Sequence, residues 1–169
     1  HEVVPGDIMI VLGVGPKGTG MEETYQLTSA LKKVPEGYKI ALITDARFSG
    51  VSTGACFGHV GPEALAGGPI GKLRDGDVVE IIVDTNALEG SINFIGTDPD
   101  NPISYEEGAA ILESRETDSR VMEDEDLPDD TRLWAALQDV SGGTWQGCVY
   151  DTDKIVEAIN AGKKVLAEK

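Results

Sequence analysis

The apolar positions of this chain follow two different rhythms. Over about residues 1–97 they come in short β-branched runs cut by Gly, Pro and Asp. Over residues 98–169 they recur at three- and four-residue spacing among acids and lysines. In the first part, Ile8 to Val14 (IMIVLGV), set between Gly6-Asp7 and Gly15-Pro16, predicts a buried strand. Lys39 to Thr44 (KIALIT) predicts a second, and Val78 to Asp84 (VVEIIVD) a third, entered through the tight turn Arg74-Asp75-Gly76-Asp77. Ser91 to Gly96 (SINFIG) predicts a strand that can pair with the third. Between the first two lies a predicted helix over Glu22 to Lys33, after the glycine loop Gly15 to Gly20. Its acids stand first and Lys32-Lys33 last, the order that suits the helix dipole. Thr19 or Gly20 would cap it and Pro35-Glu36-Gly37 would stop it. Pro62 to Leu65 predicts one helical turn.

In the second part, Ser104 to Ser114 predicts a helix with a capping box, Ser104-x-x-Glu107. Glu116 to Asp130 is acidic and reads as an exposed loop. Asp130 to Val140 predicts a helix with Leu133, Trp134 and Leu137 on one face, followed by the glycine turn Ser141-Gly142-Gly143-Thr144-Trp145. Asp153 to Leu166 predicts a closing helix with Ile155, Val156, Ile159, Val165 and Leu166 apolar. The pattern predicts a single α/β domain over 1–169, a small mixed sheet or barrel covered by helices, strand-rich to about residue 97 and mainly helical over 98–169.

Composition narrows the partners. Aromatic residues make up only 5%, so aliphatic side chains must fill the interior. A formal charge of -16 repels phosphate backbones and anionic membrane surfaces, so neither nucleic acid nor membrane is an expected partner. No apolar run approaches the ~20 residues that span a bilayer. Cys56 and Cys148 lie far apart, without a C-x-x-C pair or a histidine at ligand spacing, which points to two buried thiols and a reducing, cytoplasmic setting. The chain opens on His1-Glu2-Val3-Val4-Pro5, with no initiating Met and no signal peptide in view, and is expected to be a piece of a longer protein.

Three stretches can carry chemistry. Asp45-Ala46-Arg47-Phe48-Ser49-Gly50 delivers an acid, a guanidinium and a hydroxyl just past a predicted strand, where ligands bind in many α/β proteins. Arg suits two-point binding of a carboxylate; the same residues also make a plain polar turn. His59, in Gly58-His59-Val60-Gly61-Pro62-Glu63, reads first as a structural hydrogen-bonding group, with a general base and a phosphate carrier as the other readings. Gly15 to Glu23 lacks the Gly-Lys-Ser/Thr of a nucleotide loop; its amides could face an anion, and Glu22 or Glu23 could ligate a hard cation or simply cap the helix. The acidic run Glu123 to Asp126 has no ligand spacing and reads as solvated. Trp134 and Trp145 read as core or interface.

Taken together, Ile43 to Ile81 (ITDARFSGVSTGACFGHVGPEALAGGPIGKLRDGDVVEI) is similar to the most characteristic stretch of the dihydroxy-acid and 6-phosphogluconate dehydratases. Pro5-Gly6-Asp7, Gly15-Pro16-x-Gly18-x-Gly20-Met21 and Gly61-Pro62-Glu63-Ala64 follow in the family's order. The tail, with Asp130-Thr131-Arg132-Leu133-Trp134 and Ser141 to Trp145, resembles the sugar-acid branch, and within it the xylonate dehydratases. The resemblance implies a swivelling β/β/α domain with a small β-barrel-like mixed sheet flanked by helices and a helical C-terminal extension. It implies dehydration of 2,3-dihydroxy acids to 2-keto-3-deoxy acids, with an iron–sulfur cluster as Lewis acid at the C3 hydroxyl and Mg²⁺ at the carboxylate and C2 oxygen.

Carried over by position, Ser49 matches the serine that acts as base, and Glu23 the carboxylate that reaches Mg²⁺. Arg47 would hold the loop or the substrate carboxylate, Asp45 would orient Arg47, and His59 would support the loop. Many members have Gly-Met-Pro-Glu where this chain has Gly20-Met21-Glu22-Glu23, so two adjacent acids compete for the metal. Ala46 stands where Gly is common. Val51 stands where some sugar-acid members have Thr, which passes any role of that hydroxyl to Ser52 or Thr53. Neither Cys56 nor Cys148 matches a cluster cysteine, so the cluster and most of the Mg²⁺ shell are expected in the protein's own N-terminal domain, and the chain alone is expected to be inactive. A homo-oligomer is expected at full length. Rival readings are a dihydroxy-acid or 6-phosphogluconate dehydratase, a non-catalytic swivelling or phosphocarrier module using His59, and a pure assembly domain.

Overall fold

The computed structural model of the chain describes residues 2–168. By internal contact it divides into two compact units, His1–Gly71 with Ser119–Lys169, and Lys72–Asp118. The C-terminal helices thus share a unit with the first strands.

In the first unit, β1 (Ile8–Val11), β2 (Ala41–Thr44) and β3 (Cys56–Phe57) form a parallel sheet with β2 in the middle. Ile8 pairs with Ala41 and Val11 with Thr44, while Leu42 pairs with Cys56. A central parallel strand is covered on both faces, and Leu42, Ile43 and Thr44 are buried accordingly. The first strand ends at Val11, short of Val14, for a stated reason: the amides of Gly13 and Val14 turn to the Asp45 carboxylate and not to a neighbouring strand. The first helix shrinks to α1 (Gln26–Leu31) with Tyr25 at its N-cap. Glu23 is extended there, bridging to Arg47, and the Thr24 amide donates to the Arg47 carbonyl, so the predicted first turn is spent on strand-like pairing.

The unit is completed by α3 (Asp129–Ser141) and α4 (Thr152–Ala167), which pack on each other. The buried face of α3 is Ala135, Gln138 and Ser141; Leu133, expected on that face, is 61% exposed. The closing role expected of α4 is also corrected. None of its described residues is buried, and Val156, Ile159, Val165 and Leu166 are exposed.

The second unit holds the antiparallel hairpin β4 (Val79–Asp84) and β5 (Glu89–Phe94), in register from Val79↔Phe94 to Asp84↔Glu89, with α2 (Tyr105–Ser114) against β5. Ser104 caps α2 and Glu107 returns the bond, as the capping box predicts. Inside the unit, Arg115 grips the nearly buried Asp77 carboxylate at two points, 2.5 and 3.2 Å, and lies 4.9 Å from the Phe94 ring centre.

The class is therefore mixed α/β with a helical C-terminal extension. The barrel-like mixed sheet implied by the resemblance is not what the described strands form: they make one parallel sheet and one separate hairpin. Strands of two to four residues leave too short a ladder for the sheet edges to pair round. No helix among the described residues is long and apolar enough to cross a membrane.

Candidate active site

The site is organised by two buried carboxylates. Asp45 follows β2 and is 0% exposed. Its oxygens accept from the amides of Gly13 (3.1 Å), Val14 (3.1 Å) and Ala64 (2.9 Å). One side chain thus ties the end of β2 to the glycine loop and to the Gly61–Ala64 stretch. The expected role of orienting Arg47 is replaced by this one. Asp45 is enclosed and engaged by amides, whereas the Arg47 side chain lies at the surface and bonds elsewhere.

The second carboxylate is Glu63, 3% exposed, which sequence reasoning passed over. Its two oxygens share the Lys17 amide at 3.0 and 3.1 Å. A Cβ on Gly15 would stand 2.3 Å from Glu63 Oε2, so only glycine lets the loop approach this closely. Burial, then the charges of Asp45 and Asp139, push the Glu63 carboxyl up to about 7 against the Lys17 amide and ammonium. The available signal was an acid set among Pro62, Ala64, Leu65 and Ala66, an apolar setting that favours burial.

Arg47 joins the two glycine-rich segments from outside. Its Nε donates to the Met21 carbonyl at 3.0 Å and its Nη1 to Glu23 Oε1 at 2.5 Å. Glu23 and Arg47 are therefore brought together, both side chains close to half exposed. Beside them opens a cavity of about 490 Å³. The glycine loop supplies Gly20, Met21 and Glu22 to its lining, and the following motif supplies Arg47 and His59. The C-terminal part supplies Asp130, Thr131, Trp134 and Cys148. His59 is exposed, and its amide donates to the Ala46 carbonyl at 2.7 Å. Of the two adjacent acids, Glu22 lines the cavity and Glu23 turns to Arg47.

The remaining hydroxyls sit apart. Ser49 is half-buried two residues beyond Arg47 and does not line this cavity; its Oγ accepts from the Val51 amide at 3.4 Å. Ser52 donates its amide to the Ser49 carbonyl, and its own Oγ is enclosed without a hydrogen-bond partner. Thr53 lines a different cavity, of about 140 Å³, with Thr28, Ile40 and Cys56.

Gly20 fixes the approach of α3. A Cβ there would meet Thr131 Cγ2 at 2.1 Å, so the first turn of α3 is seated directly on the glycine loop. Nearby, Cys148 Sγ lies 3.5 Å from Met21 Sδ, and burial pushes its thiol pKa up, which makes it a poor thiolate ligand.

Among the described residues no group of three or more His, Cys, Asp or Glu side chains is placed to hold a metal ion. Cys56 on β3 and Cys148 beside Met21 line different cavities and do not fit as a cluster pair. Glu22 at the cavity and Glu23 against Arg47 are the carboxylates of this loop whose chemistry suits a hard divalent ion.

With this geometry in hand, residues 1–124 match the family model described as dihydroxy-acid/6-phosphogluconate dehydratase C-terminal. The chain is 70% identical over 166 residues to the D-xylonate dehydratase YagF of Escherichia coli (strain K12), covering 98% of this chain and 25% of that protein. It is 62% identical over 159 residues to the D-xylonate dehydratase YjhG of the same organism, covering 94% and 24%. Dihydroxy-acid dehydratase 2 of Bradyrhizobium diazoefficiens is 53% identical over 89 residues, covering 52% of this chain and 15% of that protein. The chain spans about a quarter of the length of the two xylonate enzymes.

Proposed function

The chain belongs to the dihydroxy-acid/6-phosphogluconate dehydratase C-terminal family, and from that premise we propose that it is the swivelling, C-terminal active-site domain of a hydro-lyase that turns xylonate-like 2,3-dihydroxy acids into 2-keto-3-deoxy acids. The observation that carries the proposal is the cavity joining the Met21-Glu22 loop to Arg47 and His59, in a chain 70% identical to a D-xylonate dehydratase. Removing a proton beside a carboxylate is difficult unless nearby positive charge absorbs what develops. An iron–sulfur cluster and Mg²⁺ bound in the full-length protein would supply that charge and activate the departing C3 hydroxyl.

This chain's own residues have narrower tasks. Arg47 presents a permanent cation at the cavity and is held in place by the Met21 carbonyl, which suits it to the substrate carboxylate. Ser49, two residues beyond Arg47 and outside the cavity lining, is assigned the proton at C2 by its place in the family motif, which puts the reacting carbon at the Ser49 side of Arg47. Glu23 would hold the Mg²⁺ ion from this chain, with Glu22 as the neighbouring donor. On this reading the protein is cytoplasmic, as two unpaired cysteines suit, and a homo-oligomer in which this domain works with its own N-terminal domain.

The test is turnover by the full-length protein of xylonate, 6-phosphogluconate and a branched-chain 2,3-dihydroxy acid, followed as 2-keto acid formed. Xylonate is expected to be the preferred substrate, and no turnover of any sugar acid would remove the proposal. Ser49→Ala is expected to abolish turnover with cluster absorbance and fold intact; a substantial residual rate would take the base role from Ser49. The isolated chain is expected to show neither turnover nor iron–sulfur absorbance.

A further inference from the structure

We infer that the first turn of α3 is a substrate-specificity element, in which Asp130, Thr131 and Trp134 recognise the polyhydroxy end of a sugar acid. The inference rests on the proposed dehydratase function and goes beyond it by assigning that end of the substrate to residues outside the family's shared region. The family match stops at residue 124, and α3 starts at Asp129. The two xylonate enzymes align with 94–98% of this chain, whereas the dihydroxy-acid enzyme aligns with 52%. Yet Asp130, Thr131 and Trp134 line the same cavity as Arg47 and His59. A segment added beyond the common domain thus forms part of the site itself.

The seating is built in. Gly20 leaves room for Thr131 Cγ2 where any side chain would collide, so the α3 turn is held against the glycine loop. The Thr131 amide donates to Asp130 Oδ1 at 2.9 Å, which fixes that carboxylate in the first turn. The chemistry of the three groups matches a polyol. A carboxylate accepts from hydroxyl groups, a threonine hydroxyl both donates and accepts, and a flat indole packs on the C–H faces of a carbon chain. Xylonate carries hydroxyls beyond the reacting C2–C3 pair; branched-chain dihydroxy acids carry alkyl groups there. Asp130 and Arg47 also carry opposite charges, which orients an acid with its carboxylate toward Arg47 and its polyol toward α3.

Trp134→Ala, Thr131→Val and Asp130→Ala in the full-length protein test this, with KM for xylonate as the readout. KM does not depend on the fraction of molecules that fold, so a partly unfolded variant still reports. Each variant is expected to raise KM for xylonate about tenfold, with Asp130→Asn recovering part of the loss. Leu133→Ala, on the same helix and outside the cavity, is expected to leave KM unchanged. A rise smaller than about threefold in the three cavity variants, or an equal rise in Leu133→Ala, overturns the inference while leaving the dehydratase reading intact. Failure of the unmodified protein to turn over any polyhydroxy acid overturns both.

Discussion

Two buried carboxylates stand within one network and differ in how many donors meet them. Asp45 receives three amides, and Glu63 receives one amide shared between its oxygens. Compensation by donors decides whether a buried acid remains charged without penalty. Asp45→Asn places an amide group against three N–H donors and leaves at least one unmet, which should cost about 2–3 kcal/mol, read as a lower thermal midpoint of the full-length protein. Glu63 behaves differently. Its carboxyl titrates at about 7 in the fold, against 4.5 for the ordinary group. Between those values the folded chain keeps a proton that the unfolded chain has lost. Stability should therefore fall as pH rises from about 4.5 to about 7, by an amount on the order of 3 kcal/mol once both states are ionised. Glu63→Gln has no such proton to lose. Its thermal midpoint should exceed that of the unmodified protein at pH 8, and the two should converge near pH 4; equal midpoints at both values would refute the assignment.

Elements whose boundaries are set locally were legible in the sequence. The capping box of α2 stands where the pattern places it, β2 ends at Thr44 as expected but starts at Ala41, and the hairpin forms with β5 two residues earlier than Ser91 to Gly96. Elements whose ends are set by distant partners were not. The strand β1 ends where Asp45 captures the Gly13 and Val14 amides, and α1 begins late because Glu23 and Thr24 pair with Arg47. No local propensity contains those contacts. The same distinction holds at the site. Arg47, Glu23 and His59 could be nominated as chemistry-bearing residues, whereas the burial of Glu63 and the arrival of Asp130, Thr131 and Trp134 at the cavity depend on tertiary packing. Trp134 reads as core or interface in the sequence and is half-buried at the cavity. The contact that brings α3 there makes a direct prediction. Gly20→Ala puts a methyl group 2.1 Å from Thr131 Cγ2 at a backbone φ of +79°, and should cost about 2–3 kcal/mol. Its KM for xylonate should rise along with the loss of stability.

At the scale of the whole molecule, two units of unequal size share one chain. The smaller is held by its own capping box, its Asp77–Arg115 pair and the packing of α2 on β5. Ser104→Ala removes the cap and should cost about 1 kcal/mol. Amide exchange should quicken in α2 and the hairpin while the β2 amides keep their protection; a uniform change in both units would show that they open as one. The larger unit is assembled from both ends of the chain, and this bears on the order in which it can be built. The Asp45 clamp draws together segments that lie within residues 13–64, and can close as soon as that much chain has left the ribosome. The lining from α3 cannot. Gly20 waits for Thr131, and between the two the second unit must be made in full. Domains fold in the order of synthesis and long-range contacts close last. The Asp45 clamp can thus form early, and the cavity lining stays incomplete in the nascent chain until α3 has emerged.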